Sequence, residues 1–347
     1  MYEYSGNVHI HSDYSDGSGS VDDIASYARE AGLDFIVLND HFSLYQNDEG
    51  YINGVLVLQG MEVNDTANHY LAMDIEKTID KNVEYPQRVI DDVNAQNGIG
   101  IIAHPFEKGS PLFHNRRTYP WKDWSVQGFQ GIEIWNFLSQ WRDGVSGIIK
   151  GIYLMINPHS AFIQGPYREA LKVLDRYQQE GCRIILAGGS DAHNALLRIG
   201  PLKFRISPYD LCFKCINMHI LTEERFSGIY LEDREKFYNA MRKGKCWVAY
   251  DFFKNSRGFS FVIRSRTEEW GMGESIPLQN SLQAEVRTPY KARVVLMKNG
   301  RCWEKSQGQK HVFERIREGV YRVEVFHAQG LRYRPWIFSN SIWVTKN

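Results

Sequence analysis

Near its amino terminus the chain reads His9-Ile10-His11, with Asp16 five residues further on. Residues two apart in an extended segment point to one face. Two imidazoles would then aim at one point, which suits a divalent metal. Mixed imidazole and carboxylate donors fit Zn, Mn or Fe better than Mg or Ca. Water on such an ion ionises near neutral pH, and one carboxylate can span two ions about 3.5–4 Å apart. Hydrolysis by a metal-bridging hydroxide needs no Ser or Cys nucleophile.

Five further segments end an apolar run with potential ligands. Phe35-Ile36-Val37-Leu38 leads to Asn39-Asp40-His41, and Val55-Leu56-Val57-Leu58 to Gly60-Met61-Glu62. Ile99-Gly100-Ile101-Ile102-Ala103 delivers His104-Pro105. Gly131-Ile132-Glu133-Ile134-Trp135-Asn136 carries Glu133 and Asn136, and Arg183-Ile184-Ile185-Leu186-Ala187 runs into Gly188-Gly189-Ser190-Asp191-Ala192-His193. Taken singly, each ligand has an ordinary alternative: Glu62 could pair with an arginine, and Asp191 could cap a helix. Repeated around a chain, strand followed by ligand is how an α/β barrel builds a site at the carboxyl ends of its strands.

The elements that must position these residues are legible. Ser20 and Asp23 form a capping-box pattern, and Ile24, Ala28 and Ala31 follow at helical spacing. Pro86 fits a first helical position; Val89, Ile90 and Val93 form a stripe that Gly98 would end. Ala170, Leu171, Leu174 and Tyr177 precede Gly181, and Phe237, Ala240 and Met241 precede Gly244. This alternation predicts an α/β fold with a mainly parallel sheet.

His9-x-His11, Ser15-Asp16-Gly17, Asp40-His41, Gly60-x-Glu62, Ala103-His104-Pro105 and Gly189-Ser190-Asp191-Ala192-His193 together resemble the PHP (polymerase and histidinol phosphatase) superfamily over roughly the first two thirds of the chain. The resemblance implies a distorted (β/α)7 barrel with two or three divalent metal ions. It implies one site of His9, His11, Glu62 and Asp191, a second that shares Glu62 and adds His104, and a third of Asp16, His41 and His193. Glu62, Asp191 and His193 would then carry the catalysis. Many members place another His where this chain has Glu133 and Asn136. Either Glu133 substitutes as a ligand or the position is open to water.

Substrate recognition is expected from the irregular stretch 107–130, where Arg116 and Arg117 could grip an anionic group in fork geometry. The same loop holds Lys108, His114, Trp121, Lys122 and Trp124. Arg198 is a second candidate, and Gln140, Trp141 and Arg142 are a third. His159, on a loop before a helix, could contact a substrate phosphate. Tyr45, His69 and His159 are each able to protonate a leaving group. The reading is a metal-dependent phosphoesterase acting on a small phosphorylated substrate. A hydrolase of amides, carbamates or carboxylic esters, or a non-catalytic metal-containing binding protein, are the alternatives.

From about Gly258 helical periodicity disappears. Phe259, Phe261 and Ile263 alternate with polar residues, as do Leu282, Ala284 and Val286. Asn299-Gly300 is a type I′ hairpin signal. The pattern predicts a small C-terminal all-β sandwich, residues 258–347, after a barrel of residues 1–257. It is similar to the all-β domain that follows the barrel in one PHP subgroup, where Trp336-Ile337-Phe338-Ser339-Asn340 is a typical ending. Such a domain would pack on the barrel or bind a glycan or a partner.

Lys plus Arg and Asp plus Glu are equal at 41 each, giving a formal net charge of +0. No global basic field favours nucleic acid. No stretch approaches the roughly 20 apolar residues of a membrane span, so neither nucleic acid nor membrane is expected as a partner. The first strand begins almost at once, leaving no visible signal peptide. Five cysteines without disulfide spacing fit a cytoplasmic location. Cys212-x-x-Cys215 with His219 lacks the fourth ligand of a closed zinc site, and its apolar flanks point to packing.

Overall fold

A computed structural model describes residues 1–112 and 116–346; His114 lies outside the described residues. The first half runs β1 (Tyr2–Ile10), α1 (Val21–Glu30), β2 (Phe35–His41), β3 (Gly50–Ile52), β4 (Val55–Val63), β5 (Tyr70–Met73), α2 (Pro86–Ala95), β6 (Ile99–Ile102), β7 (Gly131–Asn136), α3 (Phe137–Gly144), α4 (Ile148–Ile156), α5 (Arg168–Gln179) and β8 (Ile185–Gly189). It continues with a separate hairpin of β9 (Ala195–Ile199) and β10 (Leu202–Ile206), then α6 (Tyr209–Cys212), β11 (Ile216–Thr222), α7 (Tyr230–Arg242) and β12 (Cys246–Tyr250). Eight more strands follow: β13 (Ser260–Arg264), β14 (Glu269–Gly271), β15 (Ser275–Pro277), β16 (Gln283–Lys298), β17 (Arg301–Phe313), β18 (Gly319–Gln329), β19 (Arg332–Ser339) and β20 (Ile342–Thr345).

The result is a mixed α/β fold in which eighteen strands form one hydrogen-bonded sheet. Strands β1, β2 and β4 are parallel, as are β6, β7 and β8. The expectation of a mainly parallel sheet needs correction between these groups. Strand β5 pairs antiparallel with both β4 and β6. Only residues 64–69 separate β4 from β5, too few for the crossover that a parallel pair requires. Strands β11 and β12 likewise extend β1 in antiparallel fashion. The sheet curls until β8 meets β1. There Ser190 N donates to Val8 O (3.2 Å), Asp191 N to His9 O (2.7 Å) and His11 N to Ala192 O (3.0 Å).

Local signals act largely as expected. Ser20 and Asp23 form a reciprocal capping box on α1, and Pro86 opens α2. At the end of α2 the left-handed position falls on Asn97 (φ 55°) rather than Gly98. Gly98 is needed for close approach instead, since a Cβ there would lie 2.6 Å from Ile75 Cγ2. Asn299 (φ 49°) and Gly300 (φ 69°) make the tight β16–β17 turn, both in the left-handed region that a type I′ turn demands.

Two hydrophobic cores result. One packs the apolar stripes of α1, α2 and α5 on the curled sheet. The other lies among β13–β20 and includes Phe261, Val294, Val323 and Trp336. Strand β12 serves both: Cys246, Val248 and Tyr250 face the first, while Trp247 and Ala249 face the second, as the two-residue period of a strand dictates. Its free edge pairs with β19. Among the described residues no helix is long and apolar enough to cross a membrane.

Candidate metal centre

Asp16 lies on the loop between β1 and α1, and the other potential ligands sit near the end of a strand or just beyond. His9 ends β1 one residue early and His11 follows it; His41 ends β2, Glu62 lies in β4, His104 follows β6, and Asp191 and His193 follow β8. Simple strand alternation is not what brings His9 and His11 together. The β1–β2 register shifts between Asn7 and Ile10, and His9 adopts φ 63°. Asp191 (φ 52°) and His104 (φ 25°) are likewise in the left-handed half of backbone space, at a cost of order 1–3 kcal/mol each for such residues. Each strained amide is tied down. His9 N donates to Asn39 Oδ1 (3.1 Å), His104 N to Glu133 Oε2 (2.8 Å) and Asp191 N to His9 O (2.7 Å).

Eight side chains converge in three overlapping groups: His9, His11 and Asp191; His9, Glu62 and His104; and His11, Asp16, His41 and His193. Glu62 Oε2 is 3.4 Å from both His9 Nε2 and His11 Nε2. Asp191 Oδ1 is 3.5 Å and 3.4 Å from the same two nitrogens. Glu62 Oε1 is 3.2 Å from His104 Nε2, and Asp16 Oδ1 is 3.3 Å from His193 Nε2. Two ligands of a tetrahedral ion at about 2.0–2.1 Å are separated by about 3.3 Å. The spacings match that figure and are long for hydrogen bonds. His9 Nε2, both nitrogens of His11 and His41 Nδ1 are buried with no hydrogen-bond partner, an arrangement that is costly without a ligand. The donor set and its orphaned nitrogens therefore fit divalent metal ions.

The electrostatics agree. Burial alone would lower the pKa of His11, but Asp191 and Glu62 push it up to about 10. Burial also opposes protonation of His104, yet Glu107 and Glu62 raise it to about 9. Against the penalty of burial, the carboxyl of Glu62 is held well below its ordinary range by His69, His9 and His41, and that of Asp191 by His9, His11 and His193. The cluster draws positive charge.

Supporting residues fix the donors. Asp40 accepts from Ser12 N (2.8 Å), Ser12 Oγ (2.7 Å) and Ser15 Oγ (2.5 Å), shaping the loop that presents Asp16. A side chain at Gly17 would collide with the His11 backbone. Glu133 is not in any of the three groups. Its Oε1 lies 3.1 Å from His9 Nδ1, while its Oε2 accepts from His104 N and Asn136 Nδ2. The carboxylate of Glu133, which the sequence offers as a ligand, faces the Nδ1 edge of the His9 ring, opposite the edge turned to Glu62 and Asp191.

A cavity of about 610 Å³ opens over the cluster. Glu62, His69, His104, Asp191 and His193 form its floor, and Phe42, Arg117, Tyr119, Leu138, Trp141 and Arg142 belong to its walls. Of the residues expected to bind substrate, Arg117 lines it and Arg116, Arg198 and His159 do not. Arg116 and Arg198 are exposed. His159 is stacked on Phe252 at 3.4 Å, with Nδ1 2.7 Å from Tyr250 Oη. Burial lowers its pKa to about 4, leaving it neutral. Arg142 and Trp141 are in the wall, but Gln140 is spent on Trp135 Nε1 and Gly165 O. Glu107 was missed as a site residue, although its place three residues after His104 was visible. It is buried and binds Arg142, Ser139 Oγ (2.9 Å) and Tyr119 N. Of the three candidate proton donors only His69 reaches the cavity, its Nδ1 2.7 Å from Glu62 Oε1. Cys212 and Cys215 are buried thiols whose pKa values burial raises, and His219 is engaged by Glu3 and Asp251.

Residues 7–181 match the PHP domain family. The chain belongs to that family. No curated protein matches it by sequence. Among solved structures it is similar to a two-domain protein from Bacteroides vulgatus containing a predicted PHP-like metal-dependent phosphoesterase. That likeness has 12% identity and a TM-score of 0.47, over 98% of this chain and 95% of that one. It is also similar to an amidohydrolase from Chromobacterium violaceum with bound sulfate and no metal, at 13% identity and a TM-score of 0.31, over 54% of this chain and 87% of that one.

Proposed function

We propose that this chain is a metal-dependent phosphoesterase acting on a small phosphorylated substrate. The observation that carries the reading is the convergence of eight imidazole and carboxylate side chains, with orphaned buried nitrogens, beneath a cavity whose wall includes Arg117 and Arg142. Residues His9, His11, Asp16, His41, Glu62, His104, Asp191 and His193 would hold two or three divalent ions of Zn, Mn or Fe. When bound, these would supply an ionised water as nucleophile and offset charge on phosphoryl oxygens.

The chain's own groups do the rest. Glu133 holds the Nδ1 edge of His9, which leaves Nε2 facing the cluster. Glu107 pins one edge of the Arg142 guanidinium, so that its remaining donors orient an anionic substrate. His69, with Nδ1 2.7 Å from Glu62 Oε1, is the cavity's candidate leaving-group acid. Trp141, Leu138 and Phe42 exclude water from the wall they form.

The same proposal takes residues 1–257 as a distorted (β/α)7 barrel and 258–347 as a β-sandwich, a division supported by the two cores. A cytoplasmic setting is supported by five unpaired cysteines. The apolar part of the cavity wall favours one second reading, hydrolysis of a carboxylic ester or amide at the same centre. A screen of phosphomonoesters, phosphodiesters and carboxylic esters with Mn²⁺, Fe²⁺ and Zn²⁺ tests both. Turnover of phosphoesters alone is expected. Turnover of carboxylic esters alone would select the second reading, and no turnover by metal-loaded protein would leave a binding protein.

A further inference from the structure

Helix α4 reads Ile148-Ile149-Lys150-Gly151-Ile152-Tyr153-Leu154-Met155-Ile156, and most of it faces outward. Ile149 is 87% exposed, Ile156 73%, Ile148 69% and Ile152 51%. Positions i, i+4 and i+8 share a helix face, so Ile148, Ile152 and Ile156 form a stripe, widened by Ile149 and Tyr153. Only Gly151 and Leu154 are buried. Leu112, itself exposed, extends the patch: its Cδ1 lies 3.8 Å from where a Cβ on Gly151 would be. A row of aliphatic side chains this open marks an interaction surface.

Charge identifies what it meets. Residues 108–116 and 144–157 contain Lys108, Arg116 and Lys150, and no Asp or Glu. The two segments abut: Lys108 N and Gly109 N both donate to Asp143, and Ser110 Oγ to Val145 O. Lys108, Arg116 and Lys150 are exposed, while Asp143 between the segments is partly buried and taken up by those two backbone donors, so the open charge beside the aliphatic face is positive. A two-fold contact between copies would set this patch against itself and bring like charges together. The surface is open, with nothing within 4 Å of a Cβ on Gly147, and the helix's aromatic residue, Tyr153, is itself exposed rather than a buried anchor of the kind that dominates protein interfaces. Exposed aliphatics on a short helix, a tyrosine and a cationic surround are the features of a helix lying in an anionic bilayer interface.

We propose that α4 and the adjoining 108–112 segment dock on an anionic lipid surface. The expectation of no membrane partner rested on the lack of a span; an apolar face only nine residues long escapes any such window. The docking is independent of the reaction at the metal cluster.

Co-sedimentation with phosphatidylcholine vesicles, with and without phosphatidylglycerol, tests the proposal. The expected result is salt-sensitive binding to the phosphatidylglycerol vesicles, about tenfold or more above phosphatidylcholine alone. Ile149→Asp/Ile152→Asp should reduce it about tenfold or more, with an unchanged Tm since both sites are exposed. Lys150→Glu should weaken it about fivefold, and this variant decides the matter if the double variant does not fold. The proposal is overturned if the wild type ignores anionic vesicles at low salt, or if the folded double variant binds as well as the wild type. It is equally overturned if the wild type self-associates through this patch, by sedimentation velocity, without binding vesicles.

Discussion

Glu133 Oε1 lies 3.1 Å from Nδ1 of His9, on the ring edge opposite the one that faces Glu62 and Asp191. A carboxylate in that position fixes the tautomer and raises the basicity of the opposite nitrogen. Glu133→Ala is therefore expected to weaken metal affinity about 10–100-fold, with Glu133→Gln intermediate. Titration of the metal-stripped protein measures this, and equal affinities for all three proteins would refute the supporting role.

Asp191 faces His9 and His11 and sits at φ 52°. Asn tolerates the left-handed region, so Asp191→Asn keeps the backbone and removes only the charge. The variant is expected to keep the Tm of the metal-free protein while losing bound metal and hydrolysis. Elemental analysis decides it: full metal content would count against the first group of ligands. In the wild type, chelation should lower Tm, because a ligand bound only by the folded state stabilises it.

Arg142 is bound on one side by Glu107 and otherwise faces the cavity. Arg142→Lys keeps charge but loses the fork. KM for a phosphoester is expected to rise about tenfold, with kcat less affected and the thermal stability near wild type. Arg116→Ala and Arg198→Ala should leave KM unchanged, since neither lines the cavity. A rise in either, with Arg142→Lys silent, would move the anion site.

Arg322 of β18 reaches across to α5, with Nε 2.6 Å from Asp175 Oδ1 and Nη2 2.8 Å from Oδ2, while Nη1 is 2.8 Å from Glu324 Oε1. Removing a buried cation strands both carboxylates. Arg322→Met is expected to cost about 3–5 kcal/mol, and Asp175→Asn in the same background should recover part of it. Urea denaturation reads both, and a loss below about 0.5 kcal/mol would show that the pair is not coupled to folding.

His219 is buried, with Nδ1 2.9 Å from Glu3 Oε1 and Nε2 2.9 Å from Asp251 Oδ2. Burial alone would lower its pKa, but Asp251 and Glu3 push it up to about 9. A histidine with a folded pKa above its unfolded value of about 6.5 adds stability fully present below pH 6.5 or so and lost as pH rises through about 9. Unfolding free energy should fall over that window by on the order of 3 kcal/mol, and His219→Gln should flatten this part of the profile. A wild-type profile indistinguishable from the variant's would remove the assignment.

Much of this was readable from residue types. Strand ends could be placed because apolar runs stop at His41, His104 and Asp191, and caps could be placed because Ser20 and Pro86 have defined helical positions. The antiparallel return of β5 was harder, since Tyr70-Leu71-Ala72-Met73 has no signature of direction. Neither does sequence show backbone strain: His9 and His11 looked like neighbours on a regular strand, yet a register shift and a left-handed residue bring them together. Long-range pairs were out of reach altogether. Nothing local in Glu107 announces Arg142, and nothing around Arg322 announces Asp175.

The pairing of β12 with β19 has a consequence for how this protein can be divided. Trimming the chain after residue 257 would leave Trp247, Val248 and Ala249 with an uncapped backbone rim and bare indole, a template for sticking to other chains. The sheet that carries the candidate metal ligands has a strand from the chain's last third built into its wall, so any shortened version must bring a substitute strand or precipitate.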